Sequence, residues 1–139
     1  MLPGVYTATK KDGTIYTPAQ GLMGKNLLAA GVKDTYNFGP VLIKDGEAQL
    51  PWAETEKYYP RTAVGMVKPN DYVLLVTDTG SYNGLNHWDM VNIFKSYGCT
   101  YAYNLDGGGS ATLYFNGKVM NKLIGNTQRP CADFLYFTR

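Results

Sequence analysis

Apolar residues along this chain recur mostly at every second position, in short runs separated by clusters of glycine, proline and asparagine. That period predicts strands more than helices. Residues 5–17 alternate weakly around Lys11-Asp12-Gly13, the pattern of a hairpin turn. Val41-Leu42-Ile43 leads into Asp45-Gly46, a strand entering a tight turn. Residues 62–67 and 72–77 predict two strands joined through Lys68-Pro69-Asn70-Asp71. The second run is almost continuously apolar, which predicts a central strand covered on both faces. A further strand is expected over residues 100–105. Leu113-Tyr114-Phe115, Asn116-Gly117 and Lys118-Val119-Met120 spell another hairpin, and residues 133–137 a last short strand.

Two stretches leave the period of two. Residues 87–97 place Val91, Phe94 and Tyr97, with Met90 and Ile93, on one helical face. Asn86 is a good N-cap with Asp89 three residues on, and Gly98 ends the pattern. Residues 19–30 carry Leu22, Met23, Leu27, Leu28 and Ala30 up to Gly31, a second short helix. Residues 47–60, with Trp52, Tyr58 and Tyr59 between Pro51 and Pro60, read as a long surface loop, and 79–85 as a polar one. The expected fold is α+β. It has a mixed, twisted β-sheet core and about two helices, with strand 72–77, helix 87–97 and strand 100–105 as one β-α-β unit.

Composition narrows the class. A chain of 139 residues fits a single domain, and 45% hydrophobic against 17% charged content is that of a globular protein. A net charge of +2 without a basic cluster gives no reason to expect nucleic acid as a partner. No apolar run reaches the length of a membrane span. The start, Met1-Leu2-Pro3-Gly4-Val5, is not a signal peptide, so a cytosolic chain, an excised fragment or part of a larger assembly is expected. Cys99 and Cys131 lie beside strand-like segments without a Cys-x-x-Cys, so buried free thiols are expected rather than zinc ligands. A disulfide would require the two segments to be neighbours. No metal-ligand cluster or cofactor motif stands out. The 12 tyrosines suit strands and can line a polar cleft.

The densest chemistry lies in residues 104–110, Asn-Leu-Asp-Gly-Gly-Gly-Ser. Glycine loses the most backbone freedom on folding, so three in sequence between strands imply close backbone approach, as by a ligand. The amides of Gly107, Gly108 and Gly109 could form an anion-binding nest. A plain turn accounts for the same residues about equally well. If strands 72–77 and 100–105 are parallel, Asp78 and Asp106 end on one sheet edge, where open α/β sheets bind ligands. If they are also adjacent, their carboxylates fall in the spacing of glycosidase acid pairs. If Val67 pairs with Tyr72, Arg61 falls opposite Asp78. Arg suits bidentate phosphate recognition. A structural Arg–Asp ion pair explains that pattern equally well. His87, the single histidine, reads as a surface helix residue, and Arg129 is ambiguous.

Taken in order, several of these pieces resemble the phosphodiester glycosidase family, which includes N-acetylglucosamine-1-phosphodiester α-N-acetylglucosaminidase and bacterial exopolysaccharide-associated proteins. The resemblance spans roughly residues 27–137. It is carried by Tyr36-Asn37-Phe38-Gly39-Pro40-Val41-Leu42, Pro60-Arg61-Thr62-Ala63-Val64-Gly65, Val76-Thr77-Asp78, Tyr97-Gly98-Cys99 and residues 102–112, followed by 116–121 and Arg129-Pro130. It implies hydrolysis of a sugar-1-phosphodiester, of N-acetylglucosamine type, in a cell-envelope or glycoconjugate substrate. It also implies an extracytoplasmic or cell-surface setting. Asp106, Asp78 and Arg61 are then the catalytic candidates. Gly107, Gly108, Gly109, Ser110, Thr62 and Arg129 are the substrate-binding ones, and no cofactor is implied. Two features depart from the family. Nothing in residues 1–35 matches its upstream Asn-Gly-rich strand, which suggests a C-terminal portion or a natural short form. Thr79 stands where the family commonly has Gly. A carbohydrate- or phosphate-binding module without turnover, or a structural part of a surface or phage assembly, are the alternatives.

Overall fold

The computed structural model describes residues 6–19, 22, 24–50, 57–78 and 83–137. The N-terminal hairpin forms as expected, with β1 (Tyr6–Lys10) pairing antiparallel to β2 (Ile15–Tyr16). On the other edge of β1 lies β3 (Val32–Asn37), a strand the apolar pattern does not reveal. Only Val32 in it is buried, so backbone pairing with β1 holds it rather than a hydrophobic face. The helix expected over 19–30 shrinks to α1 (Lys25–Ala29), which buries no side chain. Residues 20, 21 and 23 of that stretch lie outside the described residues.

The platform of the molecule is a five-stranded sheet. It comprises β4 (Val41–Lys44), β5 (Glu47–Ala48), β6 (Thr62–Lys68), β7 (Asp71–Val76) and β8 (Tyr101–Leu105), in the order β5-β4-β8-β6-β7. The turn at Asp45-Gly46 joins β4 to β5, so Glu47 and Ala48 of the loop expected over 47–60 are strand instead. Trp52 and its neighbours at 51–56 lie outside the described residues. The ladders between these strands are antiparallel. Because β7 and β8 both flank β6, they run in the same direction, with the helix between them in sequence. The fold is α+β.

Strand β7 sits at an edge, not at the centre as its apolar run suggests. Val73 and Leu75 pack towards one face of the sheet and Tyr72 towards the other, while Leu74 is 45% exposed. A continuous apolar run here supplies two half-covered faces, and β8 takes its ladder on β6 instead.

Helix α2 (His87–Ser96) covers one face. Asn86 caps it, its side chain accepting from Asp89 N–H at 2.8 Å while Asp89 Oδ2 accepts from Asn86 N–H at 3.3 Å. Met90, Val91 and Phe94 pack on Leu42, Ile43, Ala63 and Ala102. Gly65 makes the close approach feasible, since a Cβ there would lie 2.5 Å from Phe94 Cδ1 and 2.8 Å from Cys99 Sγ. His87 is buried, contrary to the expectation of a surface residue. It belongs to the same face as Met90, Val91 and Phe94 by the 3.6-residue period, whereas Tyr97, expected on that face, is exposed beyond the last turn.

The N-terminal hairpin covers the opposite face, where Ile15 packs with Val64, Met66, Tyr101 and Tyr103. Tyr101 Oη bonds Thr17 at 2.6 Å and Thr7 at 3.0 Å, and Tyr72 Oη donates to Gly13 O at 2.5 Å. The last third holds the expected hairpin, β9 (Tyr114–Phe115) with β10 (Lys118–Val119). Residues 133–137 form no strand. Leu135 packs on the second core and Phe137 lies 5.6 Å from the Tyr72 ring, so side-chain contacts anchor this segment without a ladder. Both cysteines are free, Cys99 buried as expected but Cys131 exposed. Neither described helix is long and apolar enough to cross a membrane.

Candidate active site

The ends of β7 and β8 and the start of β6 meet at one edge of the sheet. Thr62 pairs with Leu105 on one side and with Val76 on the other. Continuing those ladders by one residue sets Arg61 beside Asp106 and Thr77. This differs from the expected register, in which Arg61 faces Asp78. The cause is a shift between Met66 and Lys68, which pairs Met66 rather than Val67 with Tyr72. The backbone confirms it: Arg61 N donates to Thr77 Oγ1 at 2.9 Å, and Thr77 N to Arg61 O at 2.9 Å. Because β6 lies between β7 and β8, Asp78 and Asp106 are two strand spacings apart, about 9.6 Å at the backbone, and not on neighbouring strands.

Arg61 is held rather than loose. Its Nε donates to Leu85 O at 3.1 Å, its Nη2 to Lys57 O at 3.0 Å, and its guanidinium lies 5.3 Å from the Tyr59 ring centroid. Partial burial lowers its pKa, an effect opposed by the charge interaction with Tyr59. Two of five N–H donors are engaged by carbonyls, which leaves the rest for an anion. Tyr59 itself pairs with Leu85 across an isolated bridge.

Asp106 is exposed at the tip of β8. Its Oδ1 accepts from Gly107 N–H at 2.9 Å and its Oδ2 from Ser110 Oγ at 2.7 Å, so both oxygens are oriented by the turn that follows. That turn explains its glycines differently from the sequence. At Gly107 the backbone, φ −130°, admits any residue, but a Cβ would lie 2.6 Å from Pro60 O. The close approach is therefore made by the protein's own chain. At Gly108 the reverse holds: nothing lies within 4 Å of a Cβ, but φ is +57°. The amide of Gly108 donates to Pro60 O at 2.8 Å, and that of Ser110 to Gly107 O at 3.0 Å. With Gly107 N–H on Asp106 and Gly108 N–H on Pro60 O, two of the three amides expected to form the nest already have acceptors within the protein. Arg129 comes to the turn instead, its Cδ 3.6 Å from where a Cβ of Gly109 would stand.

Asp78 sits one strand beyond. Its Oδ2 accepts from Lys122 N–H at 2.9 Å, which ties the β7 end to the segment after β10. Thr79, the departure from the family pattern, lies outside the described residues. Thr62 Oγ1 is buried, with no hydrogen-bond partner among the described residues. The edge thus gathers Arg61, Asp106, Ser110 and the glycine turn, with Arg129 alongside, and places Asp78 at its far side.

Two supports stand in motifs read from the sequence without a role assigned to them. Thr77 fixes the Arg61 backbone, and Asn104 is a buried polar residue beneath the site. Asn104 Nδ2 donates to Gly39 O at 2.7 Å, its N–H to Pro40 O at 3.1 Å, and its carbonyl accepts from Gly39 N–H at 3.0 Å. An amide side chain alternating with Ala102 inside a strand is the signal that marks it.

Residues 5–138 match the family model described as phosphodiester glycosidase. The SPbeta prophage-derived uncharacterized protein YomE of Bacillus subtilis is 33% identical over 115 residues, covering 78% of this chain and 18% of that protein. The N-acetylglucosamine-1-phosphodiester α-N-acetylglucosaminidase of Mus musculus is 41% identical over 58 residues, 41% of this chain and 11% of the enzyme. Among solved structures, the catalytic domain of the zebrafish enzyme of that name, auto-inhibited by its pro-peptide, superposes with a TM-score of 0.68 at 22% identity. It covers 88% of this chain and 45% of that chain. The chain therefore spans under half the length of these relatives. The match to the family model over almost the whole chain makes this protein a member of the phosphodiester glycosidase family.

Proposed function

We propose that this chain hydrolyses the glycosidic bond of a sugar-1-phosphodiester, with N-acetylglucosamine as the sugar. The observation that carries the reading is the exposed Asp106 carboxylate, oriented by Gly107 N–H and Ser110 Oγ, with Arg61 beside it in register. Water adds at the anomeric carbon and the C1–O bond to phosphate breaks, which releases free sugar and a phosphomonoester. Asp106 is the carboxylate that acts at the anomeric carbon. The spare N–H donors of Arg61, with Arg129 across the turn, offset the phosphate charge as it grows on the leaving oxygen. A phosphate monoester leaves readily, so little acid assistance is required. Asp78, tied to Lys122 N–H, shapes the far side of the edge.

The family's enzymes named for N-acetylglucosamine-1-phosphodiesters support the choice of sugar. A cell-envelope glycan met outside the cytoplasm is the substrate proposed here, and the relative from a Bacillus subtilis prophage supports no more than its bacterial setting. The test is release of N-acetylglucosamine from its methyl phosphodiester and from UDP-N-acetylglucosamine. Free sugar and methyl phosphate in equal amounts are expected. Sugar-1-phosphate as the product would place the cut at the phosphate and refute the reading.

A further inference from the structure

Next to Arg61 the surface opens into a cleft of ≈ 440 Å³, lined by Tyr58, Gly84, Leu85 and Asp89. That volume is in the range of small-ligand sites. One backbone bridge links it to the site already described. Tyr59 N donates to Leu85 O at 3.3 Å and Leu85 N to Tyr59 O at 3.0 Å, while the same Leu85 carbonyl accepts from Arg61 Nε. The cleft and the guanidinium thus share one wall.

The lining selects a chemistry. Tyr58 is 50% exposed, an aromatic surface with a hydroxyl on its rim. Leu85 adds apolar area. Asp89 sits in the first turn of α2, where its Oδ2 accepts from Asn86 N–H and its Oδ1 has no partner among the described residues. A free carboxylate oxygen accepts hydrogen bonds from hydroxyl or amide donors. The Asp89 charge disfavours an anion here, and the Arg61 charge behind the shared wall disfavours a cation. A neutral, hydroxyl-rich ring with an apolar C–H face satisfies both conditions and fits within the space.

We propose that the Tyr58–Asp89 cleft is a subsite for a neutral pyranose ring. Its place in one substrate with Arg61 rests on the glycosidase reading, but the binding itself requires no turnover. The ring is either the sugar that is released or a further unit of the same glycan.

The test is binding of N-acetylglucosamine and of its β-1,4-linked disaccharide to the full chain, followed by saturation-transfer NMR. It compares the parent with Tyr58→Ala and Tyr58→Phe. Tyr58 is half exposed, so both variants are expected to fold, as circular dichroism checks. Loss of the ring is expected to weaken binding about fivefold to tenfold, and Tyr58→Phe to stay within about twofold of the parent. Tighter binding of the disaccharide identifies a flanking unit, and equal binding the released sugar. A Tyr58→Ala protein that binds like the parent, or a parent that binds neither sugar, overturns the subsite. Sugar release separates the two readings. Tyr58-dependent binding without turnover keeps the subsite and removes the glycosidase reading. Turnover with an unchanged KM in Tyr58→Ala does the opposite.

Discussion

Replacing Gly107 with alanine tests the turn on which the site depends. The new Cβ would stand 2.6 Å from Pro60 O, against 3.4 Å or more in an ordinary contact. The turn and the chain entering β6 must therefore separate by about 0.8 Å to restore a normal carbon–oxygen distance. Pro60 O also accepts from Gly108 N–H at 2.8 Å, and a shift of that size stretches the bond beyond useful length. Overpacking at about 1–3 kcal/mol and the lost bond at about 1 kcal/mol give a destabilisation of about 2–4 kcal/mol. Gly108→Ala is the matched control. Its Cβ meets nothing, so only the positive φ counts, at about 1–2 kcal/mol, offset by the stiffer unfolded chain at about 0.4–1 kcal/mol. Urea unfolding followed by circular dichroism reads both variants. Gly107→Ala should lose at least twice as much stability as Gly108→Ala. Because Arg61 follows Pro60 directly, its kcat/KM for sugar release should also fall, by about 100-fold for an ångström of displacement. The reasoning is refuted if Gly107→Ala is as stable as the parent or Gly108→Ala is the more damaging change.

Other perturbations probe the rest of the structure. Gly65→Ala should destabilise by about 1–3 kcal/mol through its clash with Phe94 and Cys99, and a midpoint in urea equal to the parent's would contradict the packing of α2. Asn86→Ala should lose about 1 kcal/mol by removing the cap of α2, again read by urea unfolding. Burial pushes the Tyr103 phenol up to about 12, against about 10 in an unfolded chain. The native state then holds a proton that the unfolded chain releases. Stability should be independent of this group below about pH 10 and fall from there towards about pH 12, which urea midpoints in Tyr103→Phe and parent distinguish. Arg61→Lys keeps the charge but not the planar fork, so KM for the phosphodiester should rise about tenfold with a smaller change in kcat; equal KM values would remove Arg61 from phosphate recognition.

The strands and the capped helix were legible because each carries its own period or its own cap. Asn86 and Asp89 announce α2, and Asn116-Gly117 announces the β9–β10 hairpin. What failed was what depends on partners. The apolar run of β7 does not say which neighbours it has, and it lies at the edge because β8 pairs with β6. The single-residue shift near Met66 moved Arg61 from Asp78 to Asp106, an error that no pattern on either strand could reveal. Strand β3 is held by backbone bonds with only Val32 buried, so it left no apolar trace. Within the glycine run the close approach falls at Gly107, where the neighbouring group is Pro60 O, which lies far away in sequence and leaves no local trace. Arg61 and the Asp106 turn were identified in sequence, whereas Thr77 and Asn104 lie in the same motifs but act by hydrogen bonds to distant segments, a role that no local pattern announces.

The most direct test of the central claim is the rate of N-acetylglucosamine release from its methyl phosphodiester by Asp106→Asn, with folding verified by circular dichroism. Asparagine preserves the size and the acceptor oxygen but removes the carboxylate. The account predicts a kcat lower by at least about 100-fold, with KM changed little because the phosphate contacts proposed for Arg61 and Arg129 are left intact. Turnover equal to the parent's in a folded Asp106→Asn protein would contradict it.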